Sequence, residues 1–306
     1  MDAASLDQPS LVALPLTPIS PRLPLADPFT PAMAARAGIG RTVLDRLHRE
    51  GRVARLLRGV YVDATVPQSR EMRARALRLV VGEGQVVAGI TAAWLHGLDL
   101  PRRHPDAPVP VEVLGRPRGR HSDRPVRHTG GDVVVVEGVR CTTPLRTALD
   151  LGRELPPDLA LAALDGMLRL GAFSHTALMA ELPRFGGVSG VVQLRELSAL
   201  ADGRAEGAAE SALRLRWLHG RLPTPAPGLV VPVARGRGQR LALGLDGHRF
   251  GAALAGRVDA AGLAVLRAQG WRVVVLAADR VLRGDPVFLT GHLEREFHLH
   301  LLDQVG

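Results

Sequence analysis

Regular alternation of apolar and polar positions begins in "DPFTPAMAARAGIGRTVLDRLHREGRVARLLRGVYVDA", residues 27 to 64. A short helix is expected from Pro31 to Ala37, stopped by Gly38. A second runs from about Arg41 to Glu50, with Val43, Leu44 and Leu47 on one face and Gly51 as its stop. "VARLLRGVYV" then reads as two short strands around Arg58 and Gly59, closed by Tyr61. Helix, tight turn, helix and basic hairpin is the layout of a winged helix-turn-helix, whose second helix enters a major groove.

The pattern then changes. "SREMRARALRLVVGEG" reads as an amphipathic helix, and "VVAGITAAWLHGLDLP" as a strand entering a helix that holds Trp94 and His96. "VPVEVLG", "RPVRHTG" and "DVVVVEGVRCTT" read as strands separated by an Arg-rich loop at 116 to 127. Residues 143 to 185 are helical in period, with a break at the paired prolines 156 and 157. From about Ala205 an α/β pattern follows. It comprises the helix "AAESALRLRWLHG", the hairpin "QRLALGLDGHRFGAALAG" around an Asp-Gly turn, a helix at 259 to 269, and "GWRVVVLAADRVL" as a strand leading into a helix.

Composition narrows what these elements can do. The chain has 306 residues, enough for two or three domains, and 46% are hydrophobic but only 3% aromatic, so the core is built from Leu, Val and Ala. No apolar run reaches the ~18 to 20 residues of a membrane span, and no signal peptide is recognisable, so a soluble cytoplasmic protein is expected. Residues 1 to 27, rich in proline and poor in charge, read as a flexible leader.

Net charge is +9, with 39 basic against 30 acidic residues, and every basic residue is Arg. The excess favours an anionic partner. The absence of Lys excludes a Walker P-loop, a pyridoxal Schiff base and a protein kinase. A single Cys141 excludes an internal disulfide and a multi-Cys zinc site, and its Val/Thr context suits a small buried hydrophobe. No cofactor or metal is expected.

Six Arg fall within eighteen residues of the second helix and hairpin. Arg41, Thr42, Arg46, Arg49, Arg52, Arg55 and Arg58 are therefore the candidate DNA contacts, since Arg clamps phosphate and pairs bidentately with guanine. The bland alternative is a solvated Arg surface on a scaffold. Trp94 and His96 read as core. Arg146 and Asp150, four apart on one helical face, suit an ion pair at a helix start, with Thr143 as cap and Pro144 at the first position. His298 and His300, two apart on a helix, point to different sides and make a poor metal pair.

These stretches resemble a known family. "GIGRTVLDRLHREGRVARLLRGVYV" is similar to the N-terminal winged-helix domain of AbiEi-type antitoxins, the transcription-repressing partners in type IV abortive-infection systems. "ITAAWLHGL" and "VRCTTPLRTALDL" resemble the signature stretches of their middle domain. The last third resembles the very-short-patch-repair endonucleases of the PD-(D/E)XK type that follow in some relatives. Their pattern is an acid in the first helix, "R-[LI]-D-L-A-W-P", "V-A-V-E-Y-D-G" and "GW-R-V". Glu210, with Ser211 and Arg214, keeps the helix motif, and "GWRVVVL" keeps the later strand. The catalytic acids, however, are replaced by Ala242, Ala253 and Ala255. Mg²⁺-dependent hydrolysis needs carboxylates, so this domain is expected to be inactive. Asp246 and Asp259 could in principle move into the role, but a hairpin-tip Asp is better explained by its turn.

The resemblance implies an α+β multidomain chain that is not an enzyme. It would comprise a leader (1–27), a winged helix-turn-helix (28–66), an α+β middle domain (69–203) and a degenerate α/β restriction-endonuclease-like domain (205–306). It also implies double-stranded DNA as partner, a cognate nucleotidyltransferase-type toxin, no membrane, and a middle domain that supports dimerisation or partner contact. Arg214, Arg216, Arg235, Arg237 and Arg240 would surround the old cleft and could still meet nucleic acid. Two alternatives stay open: an endonuclease of altered metal chemistry, and a toxin-neutralising interaction module.

Overall fold

The computed structural model describes residues 26–102, 107–114, 130–232 and 238–304. The leader up to residue 25, the loop at 116–127, most of the expected strand at 124–130, and Arg235 and Arg237 lie outside the described residues. Two compact units divide the chain. As far as their residues are described, one is drawn from Met1–Gln85, Asp106–Val111 and Glu137–Val139, the other from Val86–Pro105, Glu112–Val136 and Arg140–Gly306.

In the first unit, α1 (Pro31–Arg36) starts at Thr30, whose hydroxyl accepts from the Met33 amide at 3.3 Å, with Pro31 in the first position. Gly38 and Gly51 take φ of +84° and +69°, the left-handed conformation that lets the chain leave α1 and α2 (Arg41–Arg49) without a Cβ clash. Leu44 and Leu47 turn inward onto Phe29, Ala34, Ile39, Val53 and Tyr61. Each such leucine stabilises the fold by roughly 1.5 to 3 kcal/mol. The antiparallel hairpin β1 (Val53–Leu57) and β2 (Val60–Asp63) runs in register from Val53↔Asp63 to Leu57↔Val60, with a bulge between Arg55 and Leu57. Phe29 and Tyr61 exchange two backbone hydrogen bonds of 2.8 and 2.9 Å, which pin the segment before α1 to the hairpin. α3 (Arg70–Arg78) follows, capped by Ser69.

The second unit opens with α4 (Gly89–His96) and continues through β3 (Val133–Val136) and, from Arg140 on, β4 (Val139–Thr142). The helices α5 (Pro144–Glu154), α6 (Pro157–Arg169), α7 (His175–Glu181) and α8 (Val191–Leu200) follow. The paired prolines separate α5 from α6, as expected. The segment "VPVEVLG" does not form the expected strand; Val109 and Val113 make only isolated bridges, and Pro110 between them has no N–H for a ladder.

α9 (Ala208–His219) is buried on two sides. Leu215 belongs to the apolar core of α4 to α8, while Ala212, Leu213 and Trp217 belong to a second core against a sheet. That sheet is mixed. Its strands are β5 (Ala226–Pro227), β8 (Leu243–Leu245), β9 (Phe250–Leu254) and β10 (Arg272–Leu276), in the order β10-β9-β8-β5, with only β9 and β10 parallel. β6 (Val230–Val231) and β7 (Gln239–Arg240) form a separate ribbon. α10 (Ala260–Ala268) carries Leu266 into a third cluster with Leu241, Ala253 and Trp271. α11 (Ala278–Arg283) and α12 (Pro286–Asp303) close the chain.

The hairpin at 239–256 differs from its sequence reading in two ways. Its first strand is split, because Leu241 donates to the Leu229 carbonyl and Gly228 to that of Ala242, so β7 and β8 serve different sheets. The Asp-Gly turn is a 3-10 turn over Asp246–His248, completed by Arg249 at φ +50°. Among the described residues no helix is long and apolar enough to cross a membrane.

Candidate nucleic-acid interface

The amphipathic pattern of α2 decides which side chains can meet a ligand. With Leu44 and Leu47 inward, Arg41, Thr42, Asp45, Arg46 and Arg49 are exposed on the opposite face. Arg58 is exposed at the hairpin tip beside Gly59. Arg46 meets Glu50 at 3.8 Å, an exposed i,i+4 pair of little energetic weight. Arg52 and Arg55 are half-buried. The Arg55 guanidinium lies 5.9 Å from the Tyr61 ring centre, and its Nε finds no partner among the described residues. Of the seven sequence candidates, five are thus free to reach outward, and two lie along the hairpin. Behind them, His48 Nδ1 meets the Val53 carbonyl at 3.1 Å and its ring edges Tyr61, so α2 and the hairpin are locked together.

The positions expected to hold a vanished metal site lie in the second unit. Ala242 and Ala253 are buried in apolar clusters, and Ala255 is exposed. Glu210 is buried and both its oxygens are engaged. Arg240 donates to Oε1 at 2.7 Å and to Oε2 at 2.9 Å, and the Glu206 amide donates to Oε2 at 2.9 Å. Arg240 also meets Glu206 at 3.1 Å, and Glu210 raises the Arg240 pKa through these hydrogen bonds. Asp259 caps α10 through the Gly262 amide at 2.7 Å, and Asp246 sits in its turn. Among the described residues no group of three or more His, Cys, Asp or Glu side chains is placed to hold a metal ion.

Two arginines expected around the cleft are not available to a ligand. Arg214 is buried against Asp165 of α6, and Arg216 is buried in an ion pair with Asp158. Because α9 is covered on two sides, its arginines are enclosed by protein. Burial pushes the Asp165 carboxyl above the usual carboxylate range, against the pull of Arg214.

The middle helices carry a second buried charge cluster. Arg146 donates to Asp150 at 2.8 Å and to Asp132 at 3.4 Å, and stacks 5.3 Å from the centre of Phe185. Arg184 reaches the same Asp132 at 2.7 Å. The expected Arg146–Asp150 pair is present, and Thr143 caps α5 by accepting from the Arg146 amide at 3.2 Å. Sequence reasoning missed Asp132 and Arg184; Asp132 lies 14 residues from Arg146 and 52 from Arg184 in the chain.

Trp94 and His96 are buried. His96 Nε2 lies 2.8 Å from the Thr142 carbonyl, which fixes it as the donor there, and 3.8 Å from Cys141 Sγ. A nitrogen that has given its proton to a carbonyl cannot take one from the thiol, and burial pushes the Cys141 pKa to about 12. The pair is core, not a nucleophile with its base. On α12, His300 is buried and meets the His248 carbonyl at 2.6 Å, whereas His298 is exposed.

Comparison with known proteins agrees with the first unit's geometry. Residues 25–62 match the family model described as "Transcriptional regulator, AbiEi antitoxin", and residues 85–200 match "AbiEi antitoxin C-terminal domain". The helix pair and its hairpin are therefore a helix-turn-helix-type domain, and the protein is an antitoxin-type regulator. The chain is also 30% identical over 270 residues to two relatives from Mycobacterium tuberculosis, Uncharacterized protein MT2308 (strain CDC 1551 / Oshkosh) and Uncharacterized protein Rv2248 (strain H37Rv). Each alignment covers 83% of this chain and 96% of the relative. No solved structure matches. The chain belongs to the AbiEi antitoxin family.

Proposed function

We propose that the protein is a DNA-binding transcriptional repressor of antitoxin type, and that its winged helix-turn-helix, residues 28–66, docks on duplex DNA. The observation that carries this reading is the outward face of α2, where Arg41, Arg46 and Arg49 stand exposed with Arg58 at the hairpin tip. A helix fits the major groove and a hairpin tip reaches the flanking backbone. A gel shift on the DNA upstream of the protein's own gene tests it. Binding that falls steeply with salt and weakens in Arg46→Ala and Arg49→Ala is expected; no shift at low salt would sink the reading.

We further propose that residues 205–306 form a restriction-endonuclease-like domain without enzymatic activity. The order of elements supports this: a helix with Glu210, Ala242 at the break between β7 and β8, Ala253 on β9, a helix, then the "GWRVVVL" strand. The divalent metal which that resemblance implies does not fit the residues present. All three acid positions are alanines, two of them packed in apolar clusters, and both Glu210 oxygens are held by Arg240. We place boundaries at 66/69 and 203/205; the second falls inside the second compact unit, where α9 is docked on α6. The reading includes a homodimer and a cognate nucleotidyltransferase-type toxin. Sedimentation and co-purification with a neighbouring gene product test these two.

A further inference from the structure

We propose that Asp45 reads a cytosine through its N4 amino group and so fixes one base pair of the operator. The inference rests on the reading of α2 as the recognition helix.

Asp45 is the one carboxylate among the exposed residues of the first two turns of α2, between Arg41 and Arg49 one turn away on either side. Its side chain forms no ion pair or hydrogen bond among the described residues, although both neighbouring arginines are at the i±4 spacing that permits one. At 100° per residue, Leu44 and Leu47 define the inward direction; Thr42 and Arg49 stand nearest the opposite pole, Asp45 and Arg46 lie about 50° to either side of it, and Arg41 stands on the flank beyond Asp45. On a helix lying in a major groove, the flanks face the phosphates and that pole faces the base edges.

A carboxylate on a phosphate-facing flank would oppose binding. Asp45, nearer the pole than the flank, meets base edges, where it can only accept hydrogen bonds. Guanine presents two acceptors there and thymine an acceptor and a methyl group, so both repel it. Adenine pairs its amino donor with an adjacent acceptor. In the duplex the adenine donor stands between two acceptors, its own N7 and the paired thymine O4, whereas the cytosine donor has an acceptor, the paired guanine O6, on one side only. The chemistry therefore selects cytosine.

The test is selection by the full-length protein from a pool of randomised duplexes, repeated with Asp45→Ala and Asp45→Asn. Asp45 is exposed, so both variants should melt with the wild type. We expect the wild type to prefer cytosine at one position by about tenfold, Asp45→Ala to lose that preference alone, and Asp45→Asn to shift it toward adenine, which Asn pairs bidentately. If both variants keep every base preference and bind all duplexes more tightly, Asp45 merely opposes phosphate and the inference is overturned. A wild type that enriches no duplex at any salt would instead overturn the DNA-binding reading itself.

Discussion

Arg214 on α9 grips Asp165 on α6 with one guanidinium nitrogen, 2.7 and 2.6 Å from the two carboxylate oxygens, and both side chains are buried. Asp165 also accepts from the Asp202 amide at 2.8 Å, and Arg214 donates to the Leu200 carbonyl. With Arg216 and Asp158 beside it, the pair holds the helix that opens the last third of the chain onto the middle helices.

Breaking a buried pair from one side strands the other charge, which costs about 3 to 5 kcal/mol. We expect Asp165→Ala and Arg214→Ala each to lose that much in urea denaturation, and the double variant to lose clearly less than their sum. Additive losses, or single losses under about 1 kcal/mol, would show that the pair is not coupled.

Cys141 gives a pH prediction. Its pKa is raised from an ordinary 9.0 to about 12 by burial. The folded state thus holds the thiol proton more tightly, so this contribution is complete below pH 9 and is lost as pH rises from there toward 12. Native protein should leave Cys141 unreactive to a thiol reagent at pH 8 and react fully once unfolded. In Cys141→Ala the decline of stability above pH 9 should become shallower. Rapid labelling of the native thiol would contradict this placement.

The Glu210–Arg240 pair predicts indifference to metal. Mg²⁺ or Mn²⁺ should neither nick supercoiled plasmid nor raise the melting temperature, because the carboxylate already holds a guanidinium at 2.7 Å. Glu210→Ala and Arg240→Ala should each destabilise, with a coupling of more than ~0.5 kcal/mol in a double-mutant cycle. Metal-dependent nicking that vanishes in Glu210→Ala would establish the endonuclease alternative instead.

Local chemistry was legible in the sequence. Gly38 and Gly51 end their helices, Thr143 and Pro144 start α5, and the paired prolines divide α5 from α6, because each rule acts within a few residues. The spacing of Arg146 and Asp150 likewise announced their pair. What stayed hidden was set by packing between distant elements. Nothing near Arg214 or Arg216 signals that α9 is covered on two sides, so both read as surface arginines although Asp165 and Asp158 enclose them. Asp132 with Arg184, and Cys141 with His96, are brought together only by the tertiary fold. The hairpin at 239–256 was legible as strands, but its change of partner at Leu241 depends on Leu229, outside the stretch.

Full-length protein titrated onto its upstream duplex at several salt concentrations, beside Arg46→Ala and Arg49→Ala, tests the DNA-binding reading most directly. We expect log affinity to fall linearly with log salt, and each substitution that removes a phosphate contact to reduce the slope by about one. A substitution that removes a base contact should instead weaken the operator more than a scrambled duplex. Binding that is absent at low salt, or unchanged in both variants, would contradict the assignment of α2 as the DNA-recognition helix.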